Sequence, residues 1–333
     1  MSKKVKVQNR ADFWERNRKT NGYLLKKKIG EVGFRVIRAV LLFGLCFLIL
    51  QPLINKVSVS LMREKDLYDA TVINVPRNWT LSNFKMVDEL INYWKCLFNS
   101  VWVSLLCAVL QVTAATLVGY GFARFKFPLK NFWFGCVILL IIVPPQTIMS
   151  PLYLNFRYFD IFGIFQAIKG NSLNLQSSMA PYLMMCATCM GLKCGLYIFM
   201  LRQYFRGVPK ELEEAAYVDG CGNLQTFIRI MLPDAKSMIV SCFLFAYVWQ
   251  WTDSFYSKMF LGKIELLPKG LNSIAGRIDA FVKSSGIGTQ ASTGLLNQMI
   301  STGTLMAIVP LLILYLFAQK GFVESLSQTG IKM

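Results

Sequence analysis

The chain has 333 residues, of which 54% are hydrophobic and 16% charged, a balance that excludes a pair of ordinary soluble domains and fits a polytopic membrane protein. It contains no histidine, which removes Ser-His and Cys-His catalysis and every His-ligated metal site. The formal charge of +18 is densest in the leading arm, where eleven Lys or Arg stand against three acids in residues 1–35. With no aromatic-basic interleaving beside it, that charge is assigned to membrane orientation and lipid headgroups, and no nucleic-acid partner is expected.

An apolar run of about 18 residues or more can cross roughly 30 Å of hydrocarbon as a helix, because a helix satisfies its own backbone polar groups. Six segments meet or approach that standard: 36–54, 99–121, 132–154, 179–199, 238–256 and 298–318. The predicted fold class is therefore an all-α transmembrane bundle of six helices. An even number of spans places both termini on one side, and the positive-inside rule makes that side cytoplasmic, with Arg124, Lys126 and Lys130 after the second span in agreement. A cleavable signal peptide is not expected, since the charged leader is too long and no small-residue cleavage pattern follows the first apolar run.

Between the first two spans lies a polar outer segment. The second span ends in Gly119-Tyr120-Gly121-Phe122-Ala123-Arg124, where small residues permit close helix packing, and Pro128 stops it. In the third, Pro144-Pro145 removes backbone donors and predicts a kink, either a hinge or a static bend. Seven of the nine cysteines fall inside predicted spans and read as small hydrophobes. Cys186 and Cys189 make a lone C-x-x-C spacing, which without a second pair predicts no metal or redox site. The Gly- and Ser-rich stretch 284–294 reads as a flexible connection, and residues 319–333 as a short cytoplasmic tail.

A mixed-charge loop, residues 205–236, interrupts the apolar chain between the fourth and fifth spans. Pro209 suits a first helical position, and Glu211, Glu213 and Glu214 then meet the positive end of the helix dipole. Asp219-Gly220 ends that helix, Asn223 caps a second one carrying Leu224, Phe227, Ile228 and Met231, and Pro233 terminates it. Two short helices joined at a glycine present an apolar ridge, which fits either a groove on a partner or the headgroup layer.

The run Glu214-Ala215-Ala216, Asp219-Gly220, Ile230, Leu232-Pro233 resembles the EAA loop of the membrane permease subunits of bacterial ABC importers. Residues 119–128, Pro144-Pro145-Gln146, Leu201-Arg202-Gln203-Tyr204-Phe205 and the tail 319–324 are similar to the carbohydrate branch of that family, the maltose permease type. The resemblance implies a type I permease bundle. It implies that Glu214, Ala215, Ala216, Asp219, Gly220, Ile230, Leu232 and Pro233 couple to a cytoplasmic ATPase. It also implies the partners: two ABC ATPase subunits, a second and different permease, an extracytoplasmic sugar-binding protein, and a sugar or oligosaccharide as cargo, in a bacterial cytoplasmic membrane. No G-x-x-x-x-G-K-[ST] run occurs, so the ATP and Mg2+ of the cycle belong to the ATPase and no cofactor is expected on this chain.

Ionisable groups inside a span cost about 2.5 to 3.5 kcal/mol on insertion scales, which makes Lys193 and Asp253 candidates for the translocation pathway. Lys193 has a structural alternative in snorkelling or subunit pairing, and Asp253 in a position at the wet end of its span. Gln250 and Trp251 join them because amides and aromatic faces suit sugar hydroxyls and rings, the alternative being an interfacial aromatic belt. Lys193, Asp253 and the cysteines supply no base, nucleophile and orienting group at recognisable spacing, so no catalytic or metal site is expected. Two rival functions remain: an ABC permease for a non-sugar solute, and an ion-coupled secondary transporter, which would need no docking loop.

Overall fold

The computed structural model describes residues 17–330 apart from 162, 177, 287 and 289, so the first half of the basic arm lies outside the described residues. The described chain is helical, and its only β pairings are the isolated bridges Met62 to Trp79 and Phe159 to Leu173. Helix α1, Tyr23–Leu61, begins after Gly22 in the left-handed conformation and runs 39 residues, about 58 Å at 1.5 Å per residue. Among the described residues, the helix is buried near its far end, at Ser58, Val59 and Ser60. Its long apolar flank is exposed along the remaining length.

Helix α2, Ser82–Ile91, leads to α3, Tyr93–Arg124. The third apolar region is α4, Lys130–Ile142, then a 3-10 turn at Pro145–Ile148 and α5, Met149–Arg157. The kink expected at the double proline is a bend of 102°. The fourth region is not one span: α6, Ala180–Ala187, and α7, Cys194–Gly207, are separated by residues 188–193. Cys189 and Lys193 both hold positive φ there, at 62° and 59°, a conformation that ends a right-handed helix. The docking segment holds α8, Glu211–Val218, and α9, Asn223–Thr226, before α10, Lys236–Thr252. Two further long helices follow, α11, Leu267–Ser284, and α12, Thr293–Gly330.

Among the described residues, three helices are individually long and apolar enough to cross a bilayer, and two bent pairs raise the number to five. The fourth predicted segment falls outside that count because each of its halves is short. The tail predicted at 319–333 continues α12 as helix to Gly330.

In a bilayer, helices gain little from leaving lipid for one another, so close packing and interhelical hydrogen bonds must hold the bundle. Helix α3 is its centre and packs most extensively on α7 and α10. Gly119 permits the α3–α7 approach, since a Cβ there would stand 3.0 Å from Leu201 Cβ and 3.2 Å from the Arg202 amide nitrogen. Gly195 does the same for α7 on α4, where a Cβ would lie 2.8 Å from the Val137 carbonyl oxygen. Tyr197, Ile198, Leu201 and Phe205 of α7 fill the space so closed and are fully buried.

At the end opposite the docking segment, residues 62–80 and helices α2 and α11 form a folded cap. Asp66 accepts hydrogen bonds from the amides of Arg77 and Asn78 at 3.0 and 2.7 Å, and from Asn78 Nδ2 at 2.7 Å. Helix α11 is amphipathic. Its buried stripe of Gly270, Ile274 and Ile278 belongs to the same core as Val87 and Ile91, and Arg277 donates to the Leu90 carbonyl at 2.7 Å.

Candidate docking surface and translocation cavity

Helix α8 starts at Glu211 rather than at Pro209, with Glu211, Glu213 and Glu214 in its first turn. Gly220 closes it at φ 83°, the left-handed turn expected there. The cap of α9 differs from expectation: Gly222 is the N-cap and Asn223 is the first helical residue, with no side-chain capping bond. Pro233 does not end the helix either. Residues Phe227–Met231 wind as a π-turn in which the Leu232 N–H donates to the Phe227 carbonyl, five residues back, and one more turn runs to Asp234. The wider winding fits a proline that has no N–H to offer the preceding turn. The segment 223–234 then bends by 75° into α10.

Helical spacing separates the glutamates. Glu214, Ala215, Asp219 and Gly220 are exposed, together with Leu212, Val218, Leu224 and Ile228. Ala216 is buried against the bundle, Ile230 and Leu232 are half-buried, and Pro233 is exposed. The apolar ridge expected from Leu224, Phe227, Ile228 and Met231 splits in the same way, since Phe227 and Met231 turn inward. Glu213 also turns inward, where Tyr120 and Arg124 of α3 meet it. The sequence offered no way to distinguish it from Glu214 before the packing face of α8 was known. What remains outside is a surface of small and apolar residues with two exposed glutamates, Glu211 and Glu214, the composition of a surface that a partner covers.

The second site lies at the break between α6 and α7. A cavity of about 450 Å3 is lined by Pro144, Gln146, Lys193, Trp249, Thr252 and Asp253 among others. It shares Ser254 and Phe255 with a larger hollow of about 740 Å3 bounded by α5. The structure thus brings Lys193 and Asp253 to one cavity. Lys193 Nζ stands 5.1 Å from the centroid of the Trp249 ring, a cation-π contact. Asp253 caps the turn after α10: its carboxylate accepts from the amides of Phe255, Tyr256 and Ser257 at 2.9, 3.2 and 2.8 Å, and from the Tyr182 hydroxyl at 2.9 Å.

The other two candidates face elsewhere. Gln250 is buried, donates from Nε2 to Gln111 Oε1 at 3.1 Å, and lies 2.7 Å from the Tyr182 hydroxyl. Trp251 is buried and stacks on Tyr247 at 5.9 Å, away from the Lys193 cavity. Successive helical residues are rotated by about 100°, so the ring that reaches the cavity is that of Trp249, two positions earlier. Gln111 itself is missing from the sequence-based candidates. A lone glutamine in an apolar span was its signal, and it donates to the Leu192 carbonyl at 2.5 Å, satisfying backbone that the helix break leaves open.

Comparison with known proteins bears on the same residues. Residues 112–268 match the family described as binding-protein-dependent transport system inner membrane component, a stretch that holds both the docking surface and the cavity. The chain is 29% identical over 303 residues to the arabinooligosaccharides transport system permease protein AraQ of Halalkalibacterium halodurans, covering 90% of this chain and 95% of that protein. It is 27% identical over 255 residues to the maltodextrin transport system permease protein MdxG of Bacillus subtilis, covering 77% and 81%. Its fold is similar to a chain in the crystal structure of a bacterial ABC transporter involved in the import of the acidic polysaccharide alginate, with a TM-score of 0.67, 20% identity and coverage of 86% and 95%. Residues 112–268 belong to the family of binding-protein-dependent transport system inner membrane components, and the chain that carries them is a permease subunit of an ABC importer, itself not an enzyme, that works with ATPase and solute-binding partners.

Proposed function

We propose that the chain forms half of the translocation pathway of an importer for a sugar or oligosaccharide in a bacterial cytoplasmic membrane. The other half is a second, different permease, and the long exposed flank of α1 is left for that subunit and for lipid. Six apolar segments cross the bilayer with both termini in the cytoplasm, the third and fourth as broken spans. Of two ABC ATPases that consume ATP with Mg2+, one seats on this chain at Glu214, Ala215, Asp219, Gly220 and Pro233, while buried Ala216 and half-buried Ile230 and Leu232 of the same run support that face from the bundle side. An extracytoplasmic sugar-binding protein delivers the cargo to the opposite end. The observation that supports this reading best is the exposed face of α8, where Glu214 and Ala215 stand free beside the Gly220 turn. The sugar assignment draws on what its relatives AraQ and MdxG are named for, and on Trp249 as an aromatic platform in the Lys193 cavity.

Copurification of the tagged chain from its native membrane, with mass spectrometry of the retained proteins, tests the assembly. An ABC ATPase and a second permease are the expected companions, and a chain that purifies alone sinks the reading. Uptake of labelled arabinan and α-glucan fragments by the reconstituted complex tests the cargo. Import of a non-sugar solute in their place would move the chain to the rival substrate class.

A further inference from the structure

The docking segment is clamped to the bundle at the last turns of α3. Phe205 at the end of α7, Glu213 in α8 and Phe227 after α9 all converge there. The Tyr120 ring lies 5.4 Å from Phe205 and 4.7 Å from Phe227, and its hydroxyl donates to Glu213 Oε1 at 2.9 Å. Arg124 Nε stands 3.2 Å from Glu213 Oε2, a charge contact outside hydrogen-bond alignment, while Arg124 Nη2 donates to the Val208 carbonyl at 2.7 Å. The two charged side chains are 7% and 9% exposed.

A buried ion pair is a weak source of stability, because its attraction is offset by the desolvation of both charges. Its usefulness here lies in direction: one carboxylate is held from two sides by groups on a single helix. That helix is unbroken from Tyr93 to Arg124. About 20 Å further along it, at 1.5 Å per residue, Gln111 holds the Leu192 carbonyl at the α6–α7 break and Gln250 of α10. One rigid rod therefore touches the docking segment at one end and the cavity walls at the other.

We propose that Tyr120, Glu213 and Arg124 form the coupling joint of the permease: they oblige the docking segment and α3 to move as one body, so that displacement imposed by the ATPase reaches the Gln111 layer. The proposal rests on the importer reading above and makes all three positioning residues. Glu214 meets the partner, and Glu213 passes the motion inward.

The test uses the complete complex in liposomes, with its ATPase and binding protein, and compares the wild type with Glu213→Gln and Tyr120→Phe. Two quantities are read: ATPase retained per permease, and ATP hydrolysed per solute imported. ATPase retention equal to wild type, with a hydrolysis-to-import ratio raised between about fivefold and a hundredfold, is the expected result for a lost coupling interaction. A ratio unchanged in both variants overturns the joint, as does uptake that falls only in proportion to lost ATPase. If Glu213→Gln fails to assemble, Tyr120→Phe decides alone, since it deletes one oxygen and leaves the ring packing. A wild-type chain that retains no ATPase overturns the importer reading, and the joint with it.

Discussion

Gln250 Nε2 donates to Gln111 Oε1 across 3.1 Å and so ties α10 to α3 at the level where α6 and α7 part. Gln111 is fully buried, and its own Nε2 is spent on the Leu192 carbonyl. The Gln111→Leu substitution keeps the volume and strands two polar partners. A buried polar group left unpaired costs about 1–3 kcal/mol, so the variant is expected to unfold at lower temperature in detergent. An unchanged melting temperature would show that the glutamine layer is dispensable.

Close helix approach predicts a large response to one methyl group. Gly195→Ala places its Cβ against the Val137 carbonyl, a backbone atom that cannot rotate away. Overpacking of this kind costs about 1–3 kcal/mol. Gly44→Ala, which meets nothing within 4 Å, is the control and is expected to be neutral. Equal stability of the two variants, measured by thermal unfolding, would contradict the packing described here.

Two tryptophans two residues apart are expected to fail differently. Trp249→Ala removes a cavity wall and leaves the core intact, so the protein folds and loses about tenfold in transport rate, the equivalent of roughly 1.4 kcal/mol. Trp251→Ala opens a void beside Tyr247, and its loss appears as poor folding and low yield. Expression level and uptake per folded molecule, measured for both, separate the two effects.

The Asp66 carboxyl is held below its ordinary value of 3.8, first by the Asn78 backbone amide and then by the Asn78 side chain, with the Arg77 amide adding to both. A depressed carboxylate stabilises the folded state above its unfolded pKa, and that contribution disappears as pH falls through the lower folded value. The loop 62–80 is therefore expected to stay ordered at pH 4, to weaken as pH falls below 3.8, and to open only as pH passes through the lower folded value of Asp66. Amide exchange at Arg77 and Asn78 reports it. Opening that begins well above pH 4 would be inconsistent with this knot.

The short helix with its acidic first turn and its close at Gly220 were legible from residue order, because carboxylates in a first helical turn and a glycine at a left-handed close are local requirements. The inward turn of Glu213 was not, because which of two adjacent glutamates turns inward depends on where α3 places Tyr120 and Arg124. The same holds for Trp249 and Trp251, whose positions exchange between cavity and core with the rotation of α10. The bend at Pro144-Pro145 was predictable from missing donors, whereas the break at 188–193 was not. Its backbone is accepted because Gln111, 81 residues away, supplies the hydrogen bond.

Residue order alone determined the membrane class, the apolar segments, the double-proline bend and the docking loop with its family likeness, since each follows from composition or from contacts within a few residues. Tertiary structure decided which glutamate turns inward, which tryptophan lines the cavity, and that Lys193 and Asp253 share it. Those outcomes depend on helix rotation and on side chains brought together from distant segments, and no local rule specifies either.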